Sequence, residues 1–196
     1  MSRPTPVVTS LVAGPLESNV YLAACPATGR AVLVDPADEA DRILEMTAGV
    51  RVEAILLTHG HHDHLGAAEE VSRALGTALR IHPADAAASG LAGALPLAHG
   101  EAIRCGSLTI EVRHTPGHSP GSVCFLVGST LFSGDTLFPG GPGATADRAA
   151  FAQVMASLRE HLFTLPDDTL VLPGHGPATT IGAERPSVDE WERRGW

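Results

Sequence analysis

The chain has 196 residues, 44% of them hydrophobic, with a slightly positive mean hydropathy. That is enough length and apolar content for one folded domain with a core of its own, which we place over residues 1–196. A formal net charge of −9 with no basic run excludes a surface built for phosphate backbones, and no stretch approaches the roughly twenty apolar residues that span a bilayer.

Residues 7–12 predict a first strand, turned at Gly14-Pro15 into a second over 19–24. Residues 26–29 turn again into a third strand over 31–34, which ends at Asp35-Pro36. Leu22-Ala23-Ala24-Cys25 has the look of a lipoprotein cleavage site. Gly14-Pro15, Glu17 and Asn19 interrupt any hydrophobic region ahead of it, so a strand is expected and not a signal peptide. Cys25, Cys105 and Cys124 form an odd set without a CxxC pair. That usage fits a reducing, cytoplasmic compartment, with Cys124 a small core residue in the apolar run 123–127.

A helix is expected over 38–46, with Ile43, Leu44 and Met46 on its apolar face. The apolar run 54–57 reads as a buried strand, and residues 67–75 as a helix. Residues 79–82 predict a short strand, followed at Pro83 by a helix of mostly alanine. His82 and His99 have no ligand partners nearby in sequence and read as structural or surface residues. Strands follow over 103–105 and 108–113 around Gly106-Ser107, then over 123–127 and 131–132 around Gly128-Ser129. His114 reads as a strand-end residue. The Gly/Pro-rich loop 139–143 lacks the Lys-Ser/Thr ending of a phosphate-binding loop and is expected to border a substrate groove. A helix is predicted over 148–163, with Phe151, Val154, Met155 and Leu158 as core. Residues 169–172 predict the last strand. No internal repeat shows at a fixed short period.

The chemistry gathers between the 54–57 strand and the helix after it, in Thr58-His59-Gly60-His61-His62-Asp63-His64-Leu65-Gly66. His59 and His61 stand two apart, so in an extended loop both can face one metal. Asp63 and His64 come where the chain turns into helix and face a neighbouring point. Borderline cations such as zinc favour imidazole and carboxylate together. A solvated loop, or a His-rich tract that scavenges metal, would also contain such residues. Three later turns weigh against that. His118 sits in Thr115-Pro116-Gly117-His118-Ser119-Pro120-Gly121, Asp135 in Phe132-Ser133-Gly134-Asp135-Thr136, and His175 in Pro173-Gly174-His175-Gly176-Pro177. Each is an apolar run, then Gly or Pro, then one ligand-type residue at a strand end, where open α/β sheets place their chemistry.

The HxHxDH pattern, followed in order by His118, Asp135 and His175, resembles the metallo-β-lactamase fold superfamily over nearly the whole chain. The local strings, with Thr179-Thr180-Ile181-Gly182-Ala183-Glu184 after the last ligand, are most similar to its glyoxalase II (hydroxyacylglutathione hydrolase) branch. The resemblance implies an α/β fold, the four-layered αββα sandwich. It implies that His59, His61 and His118 hold one metal ion, that Asp63, His64 and His175 hold a second, and that Asp135 bridges them. The ions would be divalent, zinc first, with iron or manganese as alternatives. Asp63 is the carboxylate expected to take part in catalysis. His62 fills a variable position and is not carried over. Asn19 and Tyr21 resemble the branch's Asn-x-Tyr. Asp35 either orients a ligand histidine, as in that branch, or belongs to the N-terminal cap region of the next helix.

The reaction implied is hydrolysis of a small-molecule acyl thioester by a hydroxide held between two cations, with no nucleic-acid or membrane partner and the oligomeric state open. An aspartate at position 135 is the pattern of thioesterases, lactonases and ribonucleases, whereas some lactamases of the superfamily carry Cys or Ser there. The absence of a basic run counts against the ribonucleases. Two departures leave the thiol carrier open. The helical domain that follows the last ligand in glyoxalase II proper has no counterpart before Trp196, and Gly143-Ala144-Thr145-Ala146-Asp147 lacks the arginine of the relatives' Gly-Arg-Thr-Asp. Mycothiol would be the natural carrier if the Ala-, Gly- and Arg-rich composition marks an actinobacterial gene. Two other readings stand beside this one. One is a persulfide dioxygenase with a single iron on His59, His118 and Asp135, and the other a lactonase or lactamase-like hydrolase.

Overall fold

Alternation along the strands sorts side chains to two faces and so decides the layering. In β2 (Ser18–Ala24), Val20 and Leu22 point into one apolar cluster while Tyr21 and Ala23 point into another. In β3 (Arg30–Val34), Ala31 and Leu33 join the first cluster and Val32 and Val34 the second. Strands buried on both faces read as continuous apolar runs, which is what these segments show.

The computed structural model of the chain describes residues 4–91 and 93–195. Residues 1–3, Ala92 and Trp196 of the expected domain lie outside them. Two six-stranded sheets form the centre. The first runs β1 (Val7–Ala13), β2, β3, β4 (Arg51–Leu56), β5 (Leu79–Ile81) and β6 (Leu95–Pro96) in that spatial order, antiparallel from β1 to β3 and parallel from β3 onward. The second runs β12 (Thr179–Thr180), β11 (Leu170–Pro173), β10 (Thr130–Gly134), β9 (Val123–Val127), β8 (Leu108–His114) and β7 (Ala102–Cys105). Only β10 and β11 pair in parallel there.

Between the sheets lie Tyr21, Val34 and Leu56 from one side and Ile110, Val112, Phe125 and Phe132 from the other. The outer face of the first sheet is covered by Ile43 from α1 (Ala40–Met46) and Val71 from α3 (Ala68–Leu75). The outer face of the second is covered by Met155 from α5 (Arg148–Ser157) and Trp191 from α7 (Val188–Arg194). The result is the expected four-layered α/β sandwich. The three cysteines are free and buried. Among the described residues no helix is long and apolar enough to cross a membrane.

Two expectations are corrected. The helix predicted over 148–163 keeps its α geometry only to Ser157 and continues as a π-helical turn over Leu158–Leu162, closed by the Phe163 amide on the Leu158 carbonyl. The core assignment survives, since Val154, Met155 and Leu158 are buried and Phe151 packs against them. The strand expected to be last is followed by β12, two residues long, paired to β11 and leading into α6 (Ile181–Glu184). So short an edge strand has no sequence period to announce it.

Candidate metal centre

All four ligand-bearing segments follow strands. The chain leaves β4 through Leu57 and Thr58 into the histidine loop, whose HDHL segment forms the short helix α2 (His62–Leu65). Asp63 and His64 therefore project from helix, as expected, while His59 and His61 project from the extended approach. His118 follows β8, Asp135 follows β10, and His175 follows β11. Close approach is bought with glycine at two points. A Cβ at Gly134 (φ +47°) would lie 2.5 Å from Thr58 Oγ1, and one at Gly174 would lie 2.1 Å from Asp135 Oδ1.

The structure brings together all seven residues singled out in the sequence. His59, His61 and His118 present ligand-type atoms within 4.8 Å of one another, and so do Asp63, His64 and His175. The facing nitrogens are close: His118 Nε2 is 2.9 Å from His61 Nδ1, and His64 Nε2 is 3.2 Å from His175 Nε2. Asp135 stands between the two groups. Its Oδ1 is 3.3 Å from His64 Nε2 and its Oδ2 is 3.4 Å from His118 Nε2. Asp63 Oδ2 is 3.2 Å from His175 Nε2.

Hydrogen bonds on the far side of each ring determine which nitrogen faces inward. His118 Nδ1 donates to the Ala144 carbonyl at 2.7 Å, and His175 Nδ1 donates to the Leu16 carbonyl at 2.9 Å. A carbonyl can only accept, so each Nδ1 carries the proton and each Nε2 is directed inward. Asp35 does the same for His64, with Oδ2 at 3.0 Å from Nδ1. Asp35 also takes the Thr58 hydroxyl at 2.6 Å and the Thr58 amide at 2.7 Å. With its own proton committed, Thr58 Oγ1 accepts from His59 Nδ1 at 3.1 Å. Of the two readings of Asp35, the ligand-orienting one is observed. The cap position of α1 is Glu39, with no side-chain cap bond.

The donor set fits metal ions on an observation of its own. His59 Nε2 and Asp135 Oδ1 are buried and have no hydrogen-bond partner, a costly state for polar atoms unless something else meets them. Burial also pushes the His59 imidazole well below its usual pKa, despite the opposing charge of Asp135. Burial likewise lowers His118. Both shifts favour the neutral imidazole, the form that ligates.

A model of the metallo-beta-lactamase superfamily matches residues 13–175. The chain belongs to the metallo-beta-lactamase superfamily. Its superfamily relatives include the hydroxyacylglutathione hydrolase GloC of Haemophilus influenzae, 33% identical over 80% of this chain and 85% of that one. The structure is similar to that of ETHE1 from Myxococcus xanthus, with a TM-score of 0.85 at 32% identity over 96% of this chain and 87% of that one. It is also similar to TTHA1623 in a di-iron-bound form, with a TM-score of 0.77 at 38% identity over 90% of this chain and 96% of that one. The superfamily fold implies divalent metal, and the groups described above are the ones able to hold it.

Other expectations can now be placed. His62 is exposed and outside both groups; it lines a cleft of about 230 Å³ with Pro15, Leu16, Asp38 and Asp63. The 139–143 loop does not line that cleft, but leads into Ala144, whose carbonyl holds His118. His82 accepts from the Ala84 amide as the cap of α4 (Pro83–Ala86) and stacks on His114, and His99 accepts from the His114 amide. All three lie outside the ligand groups, and His114 is the last residue of β8, the strand-end position expected of it. Sequence reasoning gave no role to Thr58, the link between Asp35 and His59, or to Asp85. Thr58 could have been flagged by its place between a buried strand and the first ligand.

Proposed function

We propose that this protein is a dinuclear metal-dependent hydrolase of acyl thioesters, related in activity to the hydroxyacylglutathione hydrolases. The observation that carries the proposal is Asp135, one oxygen toward His64 and the other toward His118, between two complete three-residue groups. His59, His61 and His118 would hold one ion, Asp63, His64 and His175 the other, and Asp135 would touch both. Bound metal would supply Lewis acidity and lower the pKa of water to about 7.

The chain's own residues set the conditions. Asp35 and Thr58 keep the inward nitrogens of His64 and His59 free of protons once metal replaces them. Asp63 is the solvent-facing carboxylate of the set, its side chain 25% exposed and on the wall of the cleft. We assign it the orientation of the attacking water. The cleft wall formed by Ala13, Pro15, Leu16 and Ala37 is apolar and suits the carbon skeleton of a small acyl-thiol. Similarity to GloC favours a thioester as substrate.

The test is elemental analysis of protein purified without added metal, followed by turnover of a panel of acyl thioesters that includes a hydroxyacylglutathione. Two equivalents of zinc, iron or manganese with thioester cleavage are expected. A single equivalent of iron, with oxygen uptake and no hydrolysis, would overturn the proposal in favour of oxygenase chemistry on His59, His118 and Asp135.

A further inference from the structure

Asp85 belongs to neither ligand group, yet its carboxylate is bonded to both loops that carry the three-histidine half of the site. It projects from α4 and is 4% exposed. Its Oδ2 accepts from the Gly60 amide at 2.9 Å and from the Ser119 hydroxyl at 2.6 Å. Its Oδ1 accepts from the Gly121 amide at 2.7 Å. Gly60 is the residue between His59 and His61. Ser119 follows His118, and Gly121 lies in the same turn.

The contact is tight as well as polar. A Cβ at Gly121 would lie 2.6 Å from Asp85 Cγ, and one at Gly60 would lie 3.0 Å from Asp85 Cβ. Both glycines let backbone close on this one side chain. The hydroxyls are committed too. Ser122 Oγ accepts from the Ser119 amide at 3.0 Å and stands 2.7 Å from Ser119 Oγ. With the Ser119 proton given to Asp85, Ser122 must donate to Ser119. Three donors from two loops converge on two oxygens, and an ionised carboxylate is the side chain that accepts at both.

We propose that Asp85 is a positioning residue for the metal held by His59, His61 and His118, fixing the separation between the histidine loop and the His118 turn. It touches neither metal nor substrate. The inference rests on the reading of those three histidines as ligands, and the test separates the two.

The experiment is titration of the metal-free full-length chain with cobalt(II), followed by visible absorption and chelator competition, beside a melt of the metal-free protein. Wild type is expected to bind two equivalents and His118→Ala to lose one. Asp85→Asn is nearly isosteric but offers one acceptor and one donor where three donors converge. It should keep one equivalent at wild-type affinity and bind the other about 10- to 100-fold more weakly, in the range seen when the partners of ligands are removed. A merely structural role would weaken both equivalents alike and lower the metal-free melting temperature. Either that pattern, or two equivalents at wild-type affinity while His118→Ala loses one, overturns the proposal and leaves the ligand assignment intact. Fewer than two equivalents in wild type, or no loss in His118→Ala, overturns the ligand assignment itself. Should Asp85→Asn fail to fold, Ser119→Ala carries the comparison. It removes one of the three bonds and should weaken the same equivalent by a smaller factor, and unchanged affinity overturns the proposal.

Discussion

Asp35 Oδ2 accepts a hydrogen bond from His64 Nδ1 at 3.0 Å, and the same oxygen takes the hydroxyl of Thr58, which in turn holds His59. One buried carboxylate thus orients a histidine in each of the two ligand groups. Asp35 itself has φ +49°, a backbone region that asparagine adopts more readily than most residues. Asp35→Asn is therefore the substitution that tests the carboxylate without adding backbone strain. It should weaken both metal equivalents and lower kcat/KM, each by about 10- to 100-fold. Metal content after dialysis and steady-state kinetics check this; retention of both would remove Asp35 from the orienting role.

The same pair makes the metal-free protein pH-sensitive. Burial disfavours charge on His64, but the neighbouring carboxylates of Asp135 and Asp35 outweigh it and raise the pKa to about 10. Asp135 moves the opposite way: its burial is outweighed by the His64 imidazole 3.3 Å away, and its carboxyl is held well below the usual range. A folded-state pKa above the ordinary histidine value of about 6.5 adds stability that is complete below that pH. That stability is lost as pH rises from there through about 10. Melts of chelator-treated protein should therefore show Tm falling between about pH 7 and 10, as the linkage requires. Metal entering at His64 must displace its proton, so metal binding should release protons at neutral pH and tighten as pH rises. Calorimetry in two buffers of different ionisation enthalpy measures that release. A flat Tm and no proton release would show that His64 is neutral before metal arrives.

How much of this could be read beforehand depends on distance along the chain. The candidate ligand set was legible because four members crowd into residues 59–64, while His118, Asp135 and His175 each sit in a short string of strand, glycine or proline, and ligand. The two-sheet sandwich followed from resemblance, and the strand alternation agrees with it. Asp85 was not legible, because its partners Gly60, Ser119 and Gly121 lie 25, 34 and 36 residues away and locally it is one more acidic residue in a first helical turn. The π-helical turn after Ser157 was hidden by ordinary helical spacing. Strands β6 and β12, two residues each, exist through pairing with their neighbours and have no pattern of their own.

The loop that carries His175 is fastened to the first sheet by β2. Asn19 Nδ2 donates to the carbonyls of Pro173 at 3.0 Å and Gly176 at 2.9 Å, and the Tyr21 hydroxyl donates to Pro173 at 2.7 Å. Burial raises the Tyr21 pKa above its ordinary value, so the hydroxyl remains a donor throughout the working range. Asn19→Ala removes two hydrogen bonds, the one to Gly176 and one of the two at Pro173, and should cost about 1–3 kcal/mol of stability. It should also weaken the equivalent assigned to Asp63, His64 and His175. Tyr21→Phe leaves Pro173 its other donor and should cost about 0.5–1.5 kcal/mol, with metal content kept. Denaturant melts and metal titration of both variants check the difference. Equal metal loss in the two would mean that the clamp is not what places His175.

Gly174 gives the sharpest steric test of the centre. A Cβ there would lie 2.1 Å from Asp135 Oδ1 and 2.5 Å from His64 Cε1. His64 has no free space to retreat into, being fully buried and bonded to Asp35 on its far side. The backbone at Gly174 is not in the left-handed region, so alanine would meet no conformational penalty of its own. Gly174→Ala therefore displaces Asp135 or His64 and little else. Overpacking of this kind should cost about 1–3 kcal/mol of stability. A displacement near 1 Å should lower kcat about 100-fold. Gly176→Ala two residues on is the control. It has φ +68° and nothing within 4 Å, so strain alone should cost about 1–3 kcal/mol while both metal equivalents remain. Melting temperatures, metal stoichiometry and kcat for the pair decide the matter. If Gly174→Ala keeps two equivalents and wild-type kcat, Asp135 does not occupy the crowded bridging position that its two oxygens suggest.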